Sequence, residues 1–210
     1  MVYLPPAFTE TREEVLFAHI ERHDFGLLVT HGADGIESSQ IPFLVERRGE
    51  QIRLQGHLAR PNPQVADLAA AAEALAVFTG PHAYISPSWY QAAPAVPTWN
   101  YATVHVYGAP RLIDDPEWLR SLLLRLSARH EAREAAPWRM RDLPRAYLES
   151  MLRGIVGIEI EISRLEGKFK LSQNRPASDR PRIIAALERR DDQTSREVAG
   201  LMRDRETAAE

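Results

Sequence analysis

The chain has 210 residues, 44% of them hydrophobic, with 26 lysines and arginines against 29 acidic residues and a net charge of −3. That is ample for the core of one large domain, or of one domain with a small appendage. The charge excludes a protein that coats nucleic acid through general basicity, although a local basic patch is compatible with it.

No cysteine is present, so there are no disulfides, no thiolate metal site and no cysteine nucleophile. The start M-V-Y-L-P-P lacks the basic and apolar regions of a signal peptide. No apolar run approaches the roughly 20 residues that span a bilayer. The expectation is a soluble, cytoplasmic protein without membrane contact.

In chain order, Thr11-x-x-Glu14 reads as a capping box, with Val15, Leu16 and Ile20 at helical spacing behind it. Short apolar runs with turn punctuation follow: 26–31, a G-A-D-G turn, 36–45, and 52–57. They predict a meander of antiparallel strands. Asn62 is expected to cap a helix with Pro63 in its first turn and Val65, Leu68, Ala69 and Ala72 as its buried stripe. Residues 74–80 return to strand, 80–97 read as a loop rich in proline and aromatics, and two strands follow at 99–108 and 110–113. Asp115-Pro116 opens a helix with Trp118, Leu119, Leu122, Leu123 and Leu126 on one face, and a second helix covers about 144–153. In I-V-G-I-E-I-E-I (155–162) the alternation turns Ile158, Ile160 and Ile162 inward and Glu159 and Glu161 outward. Two amphipathic helices, at about 179–190 and 194–204, finish the chain. Roughly seven strands with peripheral helices predict an α+β barrel or sandwich rather than βαβ units.

Four stretches carry candidate chemistry. K-F-K-L-S-Q-N-R (168–175), read as a strand, places Lys168, Lys170, Ser172 and Asn174 on one side and anchors Phe169 and Leu171 on the other. It is either a solvated protective edge or an anion site. G-H-L-A-R-P-N-P-Q (56–64) sets His57 and Arg60 between a strand end and a helix start, where an anion would find free N–H groups and a bidentate guanidinium. The other reading is an exposed arginine beside a cap. In 97–108, Ala102, Val104 and Val106 form a core face, while Trp99, Tyr101, Thr103, His105 and Tyr107 form the opposite one. That second face suits a subunit interface, a stacking surface for a planar ligand, or a second packed layer. The loop 80–90 concentrates rings and is poor in charge, and such loops usually pack on something, often a partner chain.

No G-x-G-x-x-G, Walker loop, G-x-S-x-G or H-E-x-x-H is present, and the seven histidines are scattered, so no metal site is expected. Haem ligation by one histidine stays open as a cofactor reading. The C-terminal arginines alternate with acids, and no basic recognition helix is visible, so DNA has no support from charge or motif.

Taken together, G-P-H-A-Y-I-S-P-S-W-Y, V-P-T-W-N-Y-A-T-V-H-V-Y-G, G-H-L-A-R-P-N-P-Q and G-K-F-K-L-S-Q-N-R closely resemble the PaiB family, described as FMN-binding negative transcriptional regulators, from Tyr3 to about Leu187. The resemblance implies an antiparallel split β-barrel related to the pyridoxamine-phosphate oxidase-like flavoproteins, with peripheral helices and a helical C-terminus. It implies a homodimer with FMN in clefts between subunits. The barrel would occupy 1–175, and 176–210 would be a helical extension packed on or between subunits. The implied cofactor contacts are Ser39, His57, Arg60, Trp99, Asn100, Lys168, Lys170, Ser172 and Gln173. Gln40 stands where a histidine is expected in PaiB-type chains. The functional expectation is an FMN-binding regulator. The alternative is a flavin-dependent oxidoreductase acting on a small molecule, with His57, His82 and His105 as first acid–base candidates.

Overall fold

The computed structural model of the chain describes residues 2–91 and 94–207. Its strands are β1 (Thr9–Glu10), β2 (Phe25–Gly32), β3 (Gly35–Pro42), β4 (Leu44–Arg48), β5 (Gln51–Ala59), β6 (Ala74–Ile85), β7 (Thr98–Ile113) and β8 (Ile155–Lys170). Its helices are α1 (Glu13–Arg22), α2 (Gln64–Ala70), α3 (Pro116–Glu131), α4 (Arg145–Arg153), α5 (Arg180–Glu188) and α6 (Gln193–Thr207). One sheet runs in the order β3-β2-β6-β7-β8-β5-β4, with β1 added against β8. The register is antiparallel, with Leu28 opposite Ser39 and Gly56 opposite Ile158. This is the expected α+β split barrel.

The two ends of that strand order, β3 and β4, are joined by a single residue, Phe43. A one-residue link cannot cross a flat seven-strand sheet, where neighbouring strands lie about 4.8 Å apart. The sheet therefore rolls up, and β3 and β4 meet at the seam without pairing with each other. The stretch expected as one strand, 36–45, breaks here because its halves pair with different partners: β3 with β2, and β4 with β5. Phe43 is buried and meets Phe78 edge to face at 5.6 Å.

Contacts divide the chain into two units. Unit 1 is Met1–His19, Thr79–His105 and Glu166–Glu210, and unit 2 is Ile20–Phe78 and Val106–Leu165. In unit 1 the fully buried residues Ile183, Leu187, Val198 and Ala199 come from α5 and α6, so the C-terminal helices supply core to that unit.

Unit 2 holds a polar layer that alternation did not predict. Glu159 was expected outside and is 3% exposed. It accepts hydrogen bonds from Arg111 Nη2 at 2.7 Å, Gln55 Nε2 at 2.9 Å and Arg53 Nη1 at 3.1 Å. The physical reason is α3. Its Trp118 lies against Gly157 and its Arg125 donates to Gln55, so the face of β8 that carries Gly157 and Glu159 is roofed by a helix.

Smaller expectations shift as well. The carboxylate of Glu10, rather than the Thr11 side chain, accepts from the N–H groups of Thr11 and Arg12 ahead of α1. In α2 the buried residues are Gln64 and Leu68, while Ala69 and Ala72 are exposed. Asn62 does cap that helix, accepting from Gln64 N at 2.9 Å. The strands read at 74–80, 99–108 and 110–113 run longer than expected: β6 reaches Ile85 and β7 is continuous to Ile113.

Candidate functional site

Six of the nine residues singled out for a cofactor lie in unit 1, at the start of β7 and the end of β8. Phe169 and Leu171 are buried as expected and hold the β8 end in place. Beyond Lys170 the strand stops, because Ser172 adopts φ +65°, the left-handed region that costs a non-glycine residue roughly 1–3 kcal/mol. The turn is held by a buried pair. Asn100 Nδ2 donates to Ser172 Oγ at 2.9 Å, and the Ser172 hydroxyl lies 3.2 Å from Asn100 Oδ1. Asn100 also contacts Met202 Sδ at 3.5 Å. Gln173 folds back on its own strand, accepting from Leu171 N at 2.6 Å and donating to Phe169 O. Ser172 therefore leaves the row of Lys168 and Lys170: with Asn100 and Gln173 it shapes the turn that follows the two lysines.

Lys168 is 9% exposed, and its ammonium lies 5.3 Å from the Tyr3 ring centroid and 5.7 Å from that of Tyr101. Ring faces attract a cation but accept no full charge. Lys170 is half-buried and donates to Thr98 Oγ1 and, at 2.7 Å, to Trp99 O. Burial pushes its pKa down, and the neighbouring charges of Lys168 and Arg175 push it further the same way. Arg175 lies over the Tyr90 ring at 4.3 Å. The three cations repel one another and would be relieved by an anion.

The aromatic face of β7 combines two of its readings. Thr103 and Tyr107 are buried, as in a packed layer, whereas Trp99 is 52% exposed. Its indole is flanked by Tyr84, 39% exposed, at 5.9 Å and by His82 at 6.0 Å. An open platform of rings thus adjoins the Lys170 ammonium through Trp99 O. His105, on the same strand, is half-buried, and burial lowers its pKa, with Lys168 adding to the shift.

The other three residues lie in unit 2. The Ser39 hydroxyl on β3 accepts from Asn62 Nδ2 at 3.0 Å. His57 on β5 has its pKa lowered by burial, and its Nδ1 is buried without a hydrogen-bond partner. Arg60 is fully engaged: Nη2 donates to Asp114 Oδ1 at 2.7 Å and Ile155 O at 2.9 Å, Nη1 to Asp114 Oδ2 at 3.2 Å, and Nε to Arg153 O at 3.0 Å. It ties the β5 end to the start of β8. Gln40 is exposed on β3.

Arg175 and Tyr3 are the functional candidates that sequence reasoning passed over. Arg175 stood inside the K-F-K-L-S-Q-N-R motif and broke its alternation, which was its signal. Tyr3 had none, since only the fold brings it to Lys168. Among the described residues no cluster of three or more His, Asp or Glu side chains is placed to hold a metal, and no helix is long and apolar enough to cross a membrane.

A family model described as "Putative FMN-binding domain" matches residues 2–164. The chain is 33% identical over 204 residues to the protease synthase and sporulation protein PAI 2 of Bacillus subtilis, covering 97% of this chain and 98% of that one. It is 31% identical over 244 residues to the uncharacterized protein AN0679 of Emericella nidulans, covering 97% of each. Among solved structures, the flavocytochrome Anf3 of Azotobacter vinelandii superposes with a TM-score of 0.59 at 12% identity, over 77% of this chain and 69% of that one. An FAD- and haem-binding protein of Mycobacterium smegmatis gives 0.58 at 17%, over 77% and 73%. These structural likenesses show the fold, and the sequence matches show the family. The chain belongs to the PaiB family of FMN-binding-domain proteins and has its split-barrel fold.

Proposed function

We propose that the chain is a PaiB-type flavin protein: a cytoplasmic homodimer that holds FMN and acts as a negative regulator of transcription. The observation that carries the reading is the cation cluster of Lys168, Lys170 and Arg175 beside the open ring platform of Trp99 and Tyr84. A phosphate dianion answers the first and a planar isoalloxazine the second. The residues present fit the group, with Lys168 and Lys170 holding phosphate, Trp99 flanking the ring, and Asn100, Ser172 and Gln173 fixing the turn. His57, Arg60 and Ser39 act from their own unit, as supports of the β5 end. A bound flavin would supply one- and two-electron transfer.

A visible spectrum of the purified protein, followed by FMN titration with fluorescence quenching, tests this reading. Colourless protein that neither quenches FMN nor gains thermal stability from it would sink the proposal.

The arginines of α6 support regulation without a direct grip on DNA, because each has an acidic partner. Arg196 pairs with Asp191 at 2.8 Å, Arg205 with Glu10 at 3.0 Å, and Arg203 with Glu188. A gel-shift on the protein's own upstream region, titrated with salt, separates the routes, since a direct binder weakens steeply as salt rises.

One observation favours a flavin-dependent oxidoreductase as the second reading. Burial lowers the pKa of both His57 and His105, which favours the neutral imidazole, the form that can accept a proton. NAD(P)H oxidation by the FMN-loaded protein would support it, and no turnover with varied acceptors would count against it.

A further inference from the structure

Unit 2 contains a cleft of about 520 Å³ that neither the cation cluster nor the ring platform touches. The volume falls within the range of about 300–1,000 Å³ usual for small-molecule sites. Its floor is apolar, made by Leu119 and Leu152, both buried, with Pro116 beside them. Its rim carries the guanidiniums of Arg60, Arg120, Arg145 and Arg153 against the carboxylates of Asp114, Glu117 and Glu149.

Three of those arginines are matched. Arg60 pairs with Asp114 at 2.7 Å, Arg145 with Glu149 at 2.7 Å and Arg120 with Glu117 at 3.6 Å. Arg153 is the fourth, and its guanidinium has no carboxylate partner among the described residues. Glu149 is the carboxylate it is nearest to sharing: its pKa is lowered first by the Arg145 hydrogen bond and charge, with further pulls from Arg120 and Arg153. Glu149 and Glu117 together face Arg145, Arg120 and Arg153, which leaves that end of the cleft with one positive charge in excess. Counted over the whole rim, four cations and three anions leave one positive charge.

We propose that this cleft is a second ligand site, taking a small monoanion, a carboxylate carried on an apolar or aromatic body. The carboxylate meets Arg153 at the rim, where a guanidinium offers paired donors. The apolar body lies over the buried Leu119 and Leu152 and covers Pro116, which is exposed. A single negative charge matches the single excess cation, which disfavours a phosphate dianion. The Arg60 lock forms one wall, so occupancy of the cleft bears on the junction of the β5 end with β8. This inference does not depend on the flavin reading, because it uses none of Lys168, Lys170, Arg175 or Trp99.

The test uses the full-length protein and three acids, phenylacetate, octanoate and indole-3-acetate, each beside its neutral amide, with titration calorimetry as readout. The expected result is that at least one acid binds about tenfold or more tightly than its amide. Arg153→Gln, an exposed change that leaves the fold intact, is expected to erase that preference while FMN quenching stays as in the unaltered protein. Lys168→Gln is expected to leave acid binding unchanged. If no acid outbinds its amide, or if Arg153→Gln keeps the preference, the site does not exist as described. Loss of acid binding in Lys168→Gln would overturn it too, by moving the anion to the other unit.

Discussion

Single side chains decide what the end of β8 can do. Lys168 and Lys170 look alike in sequence, yet one sits under two tyrosine rings and the other is tied to Thr98 and Trp99 O. If both hold phosphate, replacing either with glutamine removes a charge-assisted bond worth about 1.5–3 kcal/mol. Flavin titration of Lys168→Gln and of Lys170→Gln should then show affinity falling by roughly one to two orders of magnitude. Unchanged affinity in both would place the phosphate elsewhere. Glu10 sets a different test. Burial alone would raise its pKa, but the Arg12 bonds and charge, with Arg205 beyond them, carry it down to about 2 from an ordinary 4.5. A folded pKa below the unfolded one means that this contribution is full above about pH 4.5 and is lost as pH falls toward 2. Acid titration of stability should therefore be shallower in that window for Glu10→Gln than for the unaltered protein.

At the scale of elements, α3 explains both the roofed face of β8 and the need for glycine at position 157. A Cβ on Gly157 would stand 2.3 Å from Trp118 Cζ3, so the helix packs directly on the strand backbone. Gly157→Ala should cost about 1–3 kcal/mol through overpacking. In a protein this size that lowers Tm by roughly 2–4 °C per kcal/mol, readable by calorimetry. Glu159→Ala strips Arg53, Arg111 and Gln55 of their shared acceptor and should cost about 3 kcal/mol in a denaturant melt, with Glu159→Gln costing less. The strand itself was plain in I-V-G-I-E-I-E-I, but the fate of its outward face was not. Period-two patterning tells which side chains share a face, and nothing local tells whether a helix forty residues earlier will cover it. The same holds for 36–45, where the strand propensity is continuous and only the choice of partners breaks the run at Phe43. Phe169 and Leu171 could be read as anchors because adjacent residues suffice for that. The Ser172 turn could not, because its reason is Asn100, seventy-two positions away.

The largest question concerns how much of the chain the fold requires. The resemblance implies a barrel over 1–175 and a helical extension over 176–210 packed on or between subunits, and within the chain α5 and α6 belong to unit 1. Ile183, Leu187, Val198 and Ala199 are fully buried, and Met202 is 2% exposed against Asn100. Burying the larger of these side chains contributes about 1.5–3 kcal/mol each. Four of them together reach the scale of a whole domain's net stability, about 5–15 kcal/mol. Two further ties would go with the helices: Arg205 to Glu10 at 3.0 Å, and Met202 to the amide that holds the Ser172 turn. A chain stopped after Arg175 should therefore lose cooperative unfolding in unit 1, expose apolar surface that binds a hydrophobic dye, and fail to quench FMN. A dispensable extension would behave otherwise: the truncated chain would melt as sharply as the full one and titrate with FMN unchanged. The first outcome is expected, because the turn that ends β8 behind Lys168 and Lys170 leans on Asn100, and Asn100 leans on α6.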